Sequence, residues 1–420
     1  MFNLRQLAAL VVTTAIGASA FAAGYEKNIM WSGRHAGPAG TGAAWASGPE
    51  ALYFNPAGIV TTEGNRSVDM NLSLVSSQFK APTVTANQQE AAEREYYVVP
   101  GFFYGATPSS KFGYAVGLYA AGGSRAHYGN MNVGVAGFTP TLKSEIQAVE
   151  LSVGGAYKVT KDIKLGAGYR FGMVDAAFSS VDIVPVGTTR SVLNVDDLKG
   201  NQHGFRVGAQ WIPDGKNFGA GITYRSPMQL SLGGTTSGQI RGTANGDFSP
   251  TATTVKTTFP AQITTGAYWD VVPQAWRVHL EHVFTQYSKN QKLVVDGLLT
   301  NPLTATTADI PDIEQHWRDQ HNIRVAGEFL RSKYPIRFGY VWSSGVENPD
   351  YARAVFAAPG AAHTFTIGTG RGNSHIDYNI AAEYIFVDKT ANPLTSGIGS
   401  RGGDYSSSAL ALHTGATYKF

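Results

Sequence analysis

The stretch HIDYNIAAEYIF, residues 375–386, decides how this chain is read. Ile376, Tyr378, Ile380, Ala382, Tyr384 and Phe386 take one parity, and His375, Asp377, Asn379, Ala381 and Glu383 take the other. A period of two marks a strand with two unlike faces. The pattern recurs elsewhere. Ile336, Phe338, Tyr340 and Trp342 enclose Arg337, Gly339 and Val341, and Phe205, Val207, Ala209 and Trp211 enclose Arg206, Gly208 and Gln210. A soluble sandwich also alternates. Here the less apolar face is built from Gly, Ser, Thr and isolated charges, as a barrel lumen is, while the apolar face carries large aromatics.

Composition agrees. Charged residues are 15% of 420, against roughly 25% in a soluble domain, and glycine is 49 residues, above the usual ~7%. The chain has no cysteine, which excludes a disulfide scaffold and a thiolate metal site. A formal net charge of +3 is too mild for a nucleic-acid binder. The hydrophobic fraction of 43% is too high for a disordered chain. Beyond the leader, no stretch reaches the ~18 apolar residues of a spanning helix. A β-barrel hides its hydrophobicity in alternation and remains open.

Strands are expected near 66–80, 96–106, 111–121, 144–159, 162–178, 201–212, 217–231, 255–270, 274–289, 316–331, 334–345, 362–371, 374–388 and 408–420. That is an even number, fourteen. Short connections such as 107–110, 160–161 and 271–273 alternate with long ones near 81–95, 122–143, 179–200, 232–254, 290–315, 346–361 and 389–407. Short turns at one end and long loops at the other describe an all-β, 14-stranded antiparallel transmembrane β-barrel, with both termini on the periplasmic side. Trp211, Trp269 and Trp276 beside short turns, and Trp317 and Trp342 at long-loop ends, are expected to face outward as interface girdles. The chain closes on Leu410, Leu412, Thr414, Ala416, Tyr418 and Phe420, all of one parity. A terminal aromatic resembles the signal read by the outer-membrane assembly machinery.

Three regions are expected. Residues 1–22 read as a signal peptide: Arg5 precedes an apolar run at 7–20, and Ala20-Phe21-Ala22 is a small-x-small cleavage site. At about 14 residues the run is short for a membrane anchor. Residues 65–420 form the barrel. Residues 23–64 do not alternate and are rich in Gly and Ala, with Trp31, Trp45, Leu52, Tyr53 and Phe54 among them. Such a segment suits a hatch inside a lumen too wide for wall side chains to fill.

The segment Ala51-Leu52-Tyr53-Phe54-Asn55-Pro56-Ala57-Gly58 resembles the FadL / OmpP1 / TodX family of outer-membrane transporters of hydrophobic compounds. The Ala23-Gly24-Tyr25 start, the small-residue run and Phe420 are also similar. The resemblance implies an N-terminal hatch in a barrel, ligand capture by extracellular loops, an interior site, and lateral exit through a wall gap at a kinked strand. Asn55, Pro56 and Ala57 inherit the hatch-motif role. One departure is Ser47-Gly48-Pro49-Glu50, where members often carry an acidic pair.

The expected function is uptake of hydrophobic compounds, long-chain fatty acids first. Aromatic hydrocarbons by the same route, or general diffusion through an open porin, are the alternatives. Capture is expected from Met131, Val133, Val135, Phe138, Val355 and Phe356 in long loops, unless those loops fold inward on themselves. Inward arginines are expected mostly to pair with Glu150, Glu281, Glu328, Asp377 and Glu383; Arg170 and Arg324, mid-strand, are the candidates for a ligand carboxylate. Gly113 and Gly117 mark the strand most open to a wall gap, the alternative being that they make lumen space.

No enzyme is expected. Gly397-x-Gly399-x-x-Gly402 lacks a βαβ context, and His279 and His282 face opposite sides of one strand. No cofactor or metal is expected. The partners expected are hydrophobic small molecules, outer-membrane lipid, lipopolysaccharide and the assembly machinery, with the chain a monomer in the outer membrane of a Gram-negative bacterium.

Overall fold

The computed structural model describes residues 24–25, 30–62, 64–85, 87–183, 189–215, 217–392 and 401–420, with backbone alone at 182–183 and 388–392. The expected signal peptide and Gly397 and Gly399 lie outside the described residues.

The wall is β1 Arg66–Pro82, β2 Glu95–Ser109, β3 Phe112–Tyr128, β4 Leu142–Lys158, β5 Ile163–Ile183 and β6 Arg190–Trp211, then β7, which runs Phe218–Arg225 and Met228–Arg241. It continues as β8, Gly246–Phe259 and Gln262–Val272, then β9 Trp276–Thr285, β10 Gln320–Phe329, β11 Ile336–Ser343, β12 Ala362–Gly372, β13 Ile376–Asn392 and β14 Gly403–Lys419. Neighbours are antiparallel, and β14 pairs back on β1 from Ser67↔Lys419 to Lys80↔Ser406. The chain is thus a closed fourteen-stranded barrel, β14 returning to β1. β7 and β8 break side by side at Pro227 and Pro260, residues that cannot donate to a ladder.

The outer parity is apolar and uncovered: Met70, Leu72 and Leu74 on β1, Ile323 and Val325 on β10, Tyr378 and Ile380 on β13. Such a surface is stable only against lipid. Trp211, Trp269 and Trp276 are exposed beside short turns, as a girdle requires. Trp317 corrects the expectation. It is 2% exposed, packed on Tyr25 and Tyr287 inside the barrel, because it precedes β10 and is not part of its alternation.

The expected loops 179–200 and 232–254 are largely strand. β5 runs to Ile183 and β6 starts at Arg190; β7 runs to Arg241 and β8 starts at Gly246. Above the lipid-facing band the alternation inverts. Val192, Val195, Leu198, Leu230 and Leu232 are buried inward, whereas Lys199, Gln229 and Ser231 are exposed. Strands that leave the membrane have no reason to keep an apolar outer face.

The segment 30–60 lies inside the wall. It contains α1 Gly33–Ala36, α2 Ala51–Phe54 and the 3-10 turn Pro56–Ile59. Its small residues allow backbone to touch the wall directly: Ala36, Ala39, Ala51 and Ala57 are fully buried. The wall answers with glycine. A Cβ at Gly208 would overlap Asn55 Oδ1, and one at Gly221 would overlap the Ala43 carbonyl.

Candidate functional site: hatch, lumenal pocket and wall seam

Asn55 fastens the hatch. Its Oδ1 accepts from Ala57 N at 3.1 Å and caps the 3-10 turn that Pro56 begins. Its Nδ2 donates to Ala43 O at 2.7 Å, and to Ala209 O at 2.9 Å and Ile222 O at 3.3 Å on β6 and β7. One side chain thus ties two hatch segments to two wall strands.

Buried ion pairs complete the seat. Glu281 accepts Gly42 N and Ala43 N, both at 2.8 Å, and holds Arg324 at 2.7 Å. Arg324 also donates to Gly40 O at 2.7 Å. Glu150 pairs with Arg170 at 2.6 Å and accepts from Ser152 and Tyr119. Arg206 donates to Leu52 O at 2.7 Å, with its guanidinium over the Tyr53 ring. Removing one partner of such a buried pair costs about 3–5 kcal/mol.

Glu50 belongs to the same seat. Its carboxylate accepts from Ser32 Oγ at 3.0 Å and Asn71 Nδ2 at 2.6 Å, and its own N–H donates to Asp69 Oδ2 at 3.1 Å. Burial and the charge of Asp69 push the Glu50 carboxyl up to about 7. A carboxyl that binds its proton more tightly when folded stabilises the fold below its unfolded pKa, and that stability is lost as pH rises toward 7. Glu50→Gln is therefore expected to flatten the fall in barrel stability between pH 5 and 7.5, raising the upper end by on the order of 2 kcal/mol. Thermal unfolding across that range checks it; an unchanged slope would remove Glu50 as its source.

Above the hatch is an apolar pocket with about 530 Å3 of empty space, its open side included. Tyr25, Phe178, Leu198, Leu230, Leu232 and Trp317 are among its lining residues. The Tyr25 ring packs on Phe259 and Trp317, and its hydroxyl meets Thr257 Oγ1 at 3.0 Å and Gln315 Nε2 at 3.3 Å. A neighbouring pocket shares Phe178 and is lined by Arg353 and Asp312.

Beside this pocket the wall is incomplete. β2 and β3 pair between Ser109↔Phe112 and Gly101↔Tyr119 and no further. Beyond that point β2 stays on β1 as far as Glu95, and β3 stays on β4 as far as Tyr128, with a bulge between Ala120 and Gly122. A seam is left between two strands that each keep their other neighbour. Gly123 N, which has lost its partner strand, donates to Tyr25 O at 3.1 Å. Trp31 packs behind the seam with Tyr97, Val99 and Ala120. At its outer end Arg125 meets Glu95 at 3.6 Å and Glu145 at 3.0 Å, and Glu93 N donates to His127 O at 2.7 Å.

The family model for outer membrane protein transport proteins (OMPP1/FadL/TodX) matches residues 10–420. The chain belongs to this family. Among solved structures it is similar to a Pseudomonas aeruginosa FadL homologue, at 15% identity and TM-score 0.76 over 94% of this chain and 99% of that one. It is similar to the P. putida toluene transporter TodX, at 15% identity and TM-score 0.71 over 97% and 99%. The Ralstonia pickettii toluene transporter TbuX gives 16% identity and TM-score 0.67 over 97% and 100%. No curated protein matches. At these identities the structures establish the fold; membership places the chain in a family of outer-membrane transporters of hydrophobic compounds.

Within this FadL-type frame the expected site residues fall as follows. Asn55, Pro56 and Ala57 sit at the hatch–wall contact. Arg170 and Arg324 sit lower, each already holding a protein carboxylate, and neither lines the apolar pocket. Gly113 and Gly117 lie in the paired part of β3: a Cβ at Gly113 would press on Ile59 and Val60, and one at Gly117 on the Phe103 ring. They make space inside; the pairing fails a few residues later. Met131, Val133 and Val355 are buried in one cluster with Tyr128 and Tyr405, and Val135 and Phe138 pack against it. Phe356 lines the pocket. These loops therefore form a cap more than an open apolar surface. Tyr25, Trp31, Phe178 and Leu230 were not singled out for the site. The inverted alternation at 228–232 was the available signal for Leu230.

Proposed function

We propose that this family member takes up small uncharged hydrophobic compounds, holding them in the lumenal pocket and releasing them sideways through the β2–β3 seam. The observation that carries the reading is the pocket lining, which among the described residues includes no basic residue. Glu145, the one charged residue among those described in the lining, is engaged by Arg125. A fatty-acid carboxylate would enter without a counter-charge, a poor exchange for its hydration. The toluene transport named for TodX and TbuX is consistent with this reading.

Fatty-acid uptake keeps one specific support. Arg353 lines the adjoining pocket, so a long tail in the apolar pocket could place its carboxylate there. Each buried methylene contributes about 0.8 kcal/mol, so a tail alone could hold such a ligand and Arg353 would set its orientation.

Equilibrium binding of toluene and of oleate to the purified barrel, with Arg353→Ala beside the parent, separates the two. Toluene binding untouched by the substitution, with oleate at least tenfold weaker than toluene, is expected. Tight oleate binding lost in the variant would put fatty acids first. Hatch contacts on many wall strands argue against general diffusion, which would show as steady ionic conductance.

A further inference from the structure

We propose that the periplasmic rim at the β10–β11 turn and the end of β12 is a binding site for an anionic phospholipid of the inner leaflet. The turn carries Arg331, Lys333 and Tyr334, and Arg371 stands on the neighbouring strand. All four are exposed. Arg371 Nη1 donates to Tyr334 Oη at 3.2 Å. The Arg371 guanidinium stands 5.7 Å from the Tyr334 ring centroid, and Lys333 Nζ 6.0 Å from it. The aromatic thus gathers two cations around one point and leaves most of their N–H donors pointing to solvent.

Three features select a lipid as the occupant. First, there is no competing acid: residues 330–336 and 369–376 contain no Asp or Glu, and among the described residues no carboxylate pairs with Arg331, Lys333 or Arg371. Asp377, nearby, is on the inner parity and is held by Lys419. Lys161, at another short turn, is by contrast paired with Asp214. Second, Arg371 is on the lipid-facing parity: Phe365 and Ile367 precede it on that face, and it lies opposite exposed Tyr378 on β13. Third, Ile336 and Phe338 continue directly from Tyr334 into the membrane band. A phosphate at Arg371 and Lys333 would have its acyl chains on Ile336, Phe338 and Ile367. A soluble phosphate would use the cations and leave that apolar surface idle.

The test is native mass spectrometry of the full chain, released from nanodiscs of phosphatylethanolamine with one-fifth phosphatidylglycerol. Adducts enriched in phosphatidylglycerol at least threefold over its share of the bilayer are expected. Arg371→Gln with Lys333→Gln should return the adducts to the bilayer ratio, with heat-modifiable gel mobility unchanged. Millimolar inorganic phosphate should not displace the lipid. Equal enrichment in parent and variant would overturn the site. Displacement by phosphate would overturn the lipid assignment in favour of a bare anion site. Lys161→Gln, whose lysine is already paired, should leave the enrichment as it is; loss there too would reduce the effect to general surface charge and overturn the proposal.

Discussion

Deleting residues 23–64 is expected to turn a silent barrel into an open pore. Fourteen strands enclose a lumen wider than wall side chains fill. In this chain the periplasmic half is filled by hatch backbone, packed on wall glycines through Ala39, Ala43 and Ala57. The wall itself does not depend on the hatch for closure, since β1 and β14 are laddered along most of their length. Glu281 would lose two N–H donors, and Glu150 would lose its dry surroundings, but water entering the lumen would solvate both. The barrel should therefore fold, and planar-bilayer recordings should show at least a tenfold larger unitary conductance. An unchanged conductance in a folded barrel would mean that the loop cap, not the hatch, seals the channel. Asn55→Ala is the graded form of the experiment. It removes three carbonyl contacts, at a net cost of about 1 kcal/mol each, and should give brief openings instead of a steady pore.

The barrel was legible because lipid on one side and a polar lumen on the other impose a strict period of two. That constraint acts on Ile376–Phe386 and equally on the terminal strand, and it fixes strand number well. It does not act above the membrane. There Leu230 and Leu232 turn inward and Ser231 faces out, which reads as ordinary loop when large outward aromatics are the criterion. The segment packed inside the wall stood out as small residues that fail to alternate, and Asn55 through its motif. How that segment is fastened did not, because Glu281, Ala209 and Ile222 meet it from strands remote in sequence. The surroundings of the inward arginines were hidden for a related reason. Parity told that Arg170 and Arg324 face inward, but not that the hatch occupies the lumen at their level and that Glu150 and Glu281 stand beside them. The wall-gap expectation rested on the glycine content of β3. Glycine content pointed to Gly113 and Gly117, whereas the ladder ends after Tyr119, where a bulge shifts β3 against β4. The bulge re-aims the strand where Gly122 and Gly123 begin.

Tying the seam shut is expected to stop uptake while leaving binding intact. Val99 on β2 and Ala120 on β3 are buried in one contact cluster just beyond the last ladder pair, Gly101↔Tyr119. The chain has no cysteine, so Val99→Cys with Ala120→Cys would supply its only thiols. Periplasmic oxidation favours the bridge. Oxidised, β2 and β3 could not part beside the pocket; reduced, the wall would regain the parent's freedom. Neither residue lines the apolar pocket, so equilibrium binding should change little. Transport of the bound compound into cells should fall at least tenfold when oxidised and recover with reductant, the bridge being followed by gel mobility. Trp31 adds a second control, because it closes the same seam from within. If release runs sideways past it, Trp31→Ala should speed uptake in the reduced protein and do nothing in the bridged one. Uptake that is indifferent to the bridge would redirect the path downward, through the hatch. In that case the hatch deletion and Asn55→Ala, not the seam variants, would govern the rate. The two experiments thus divide the possible routes: one opens the floor of the lumen and the other closes its side, and a compound that crosses by the seam must respond to the second while its binding does not.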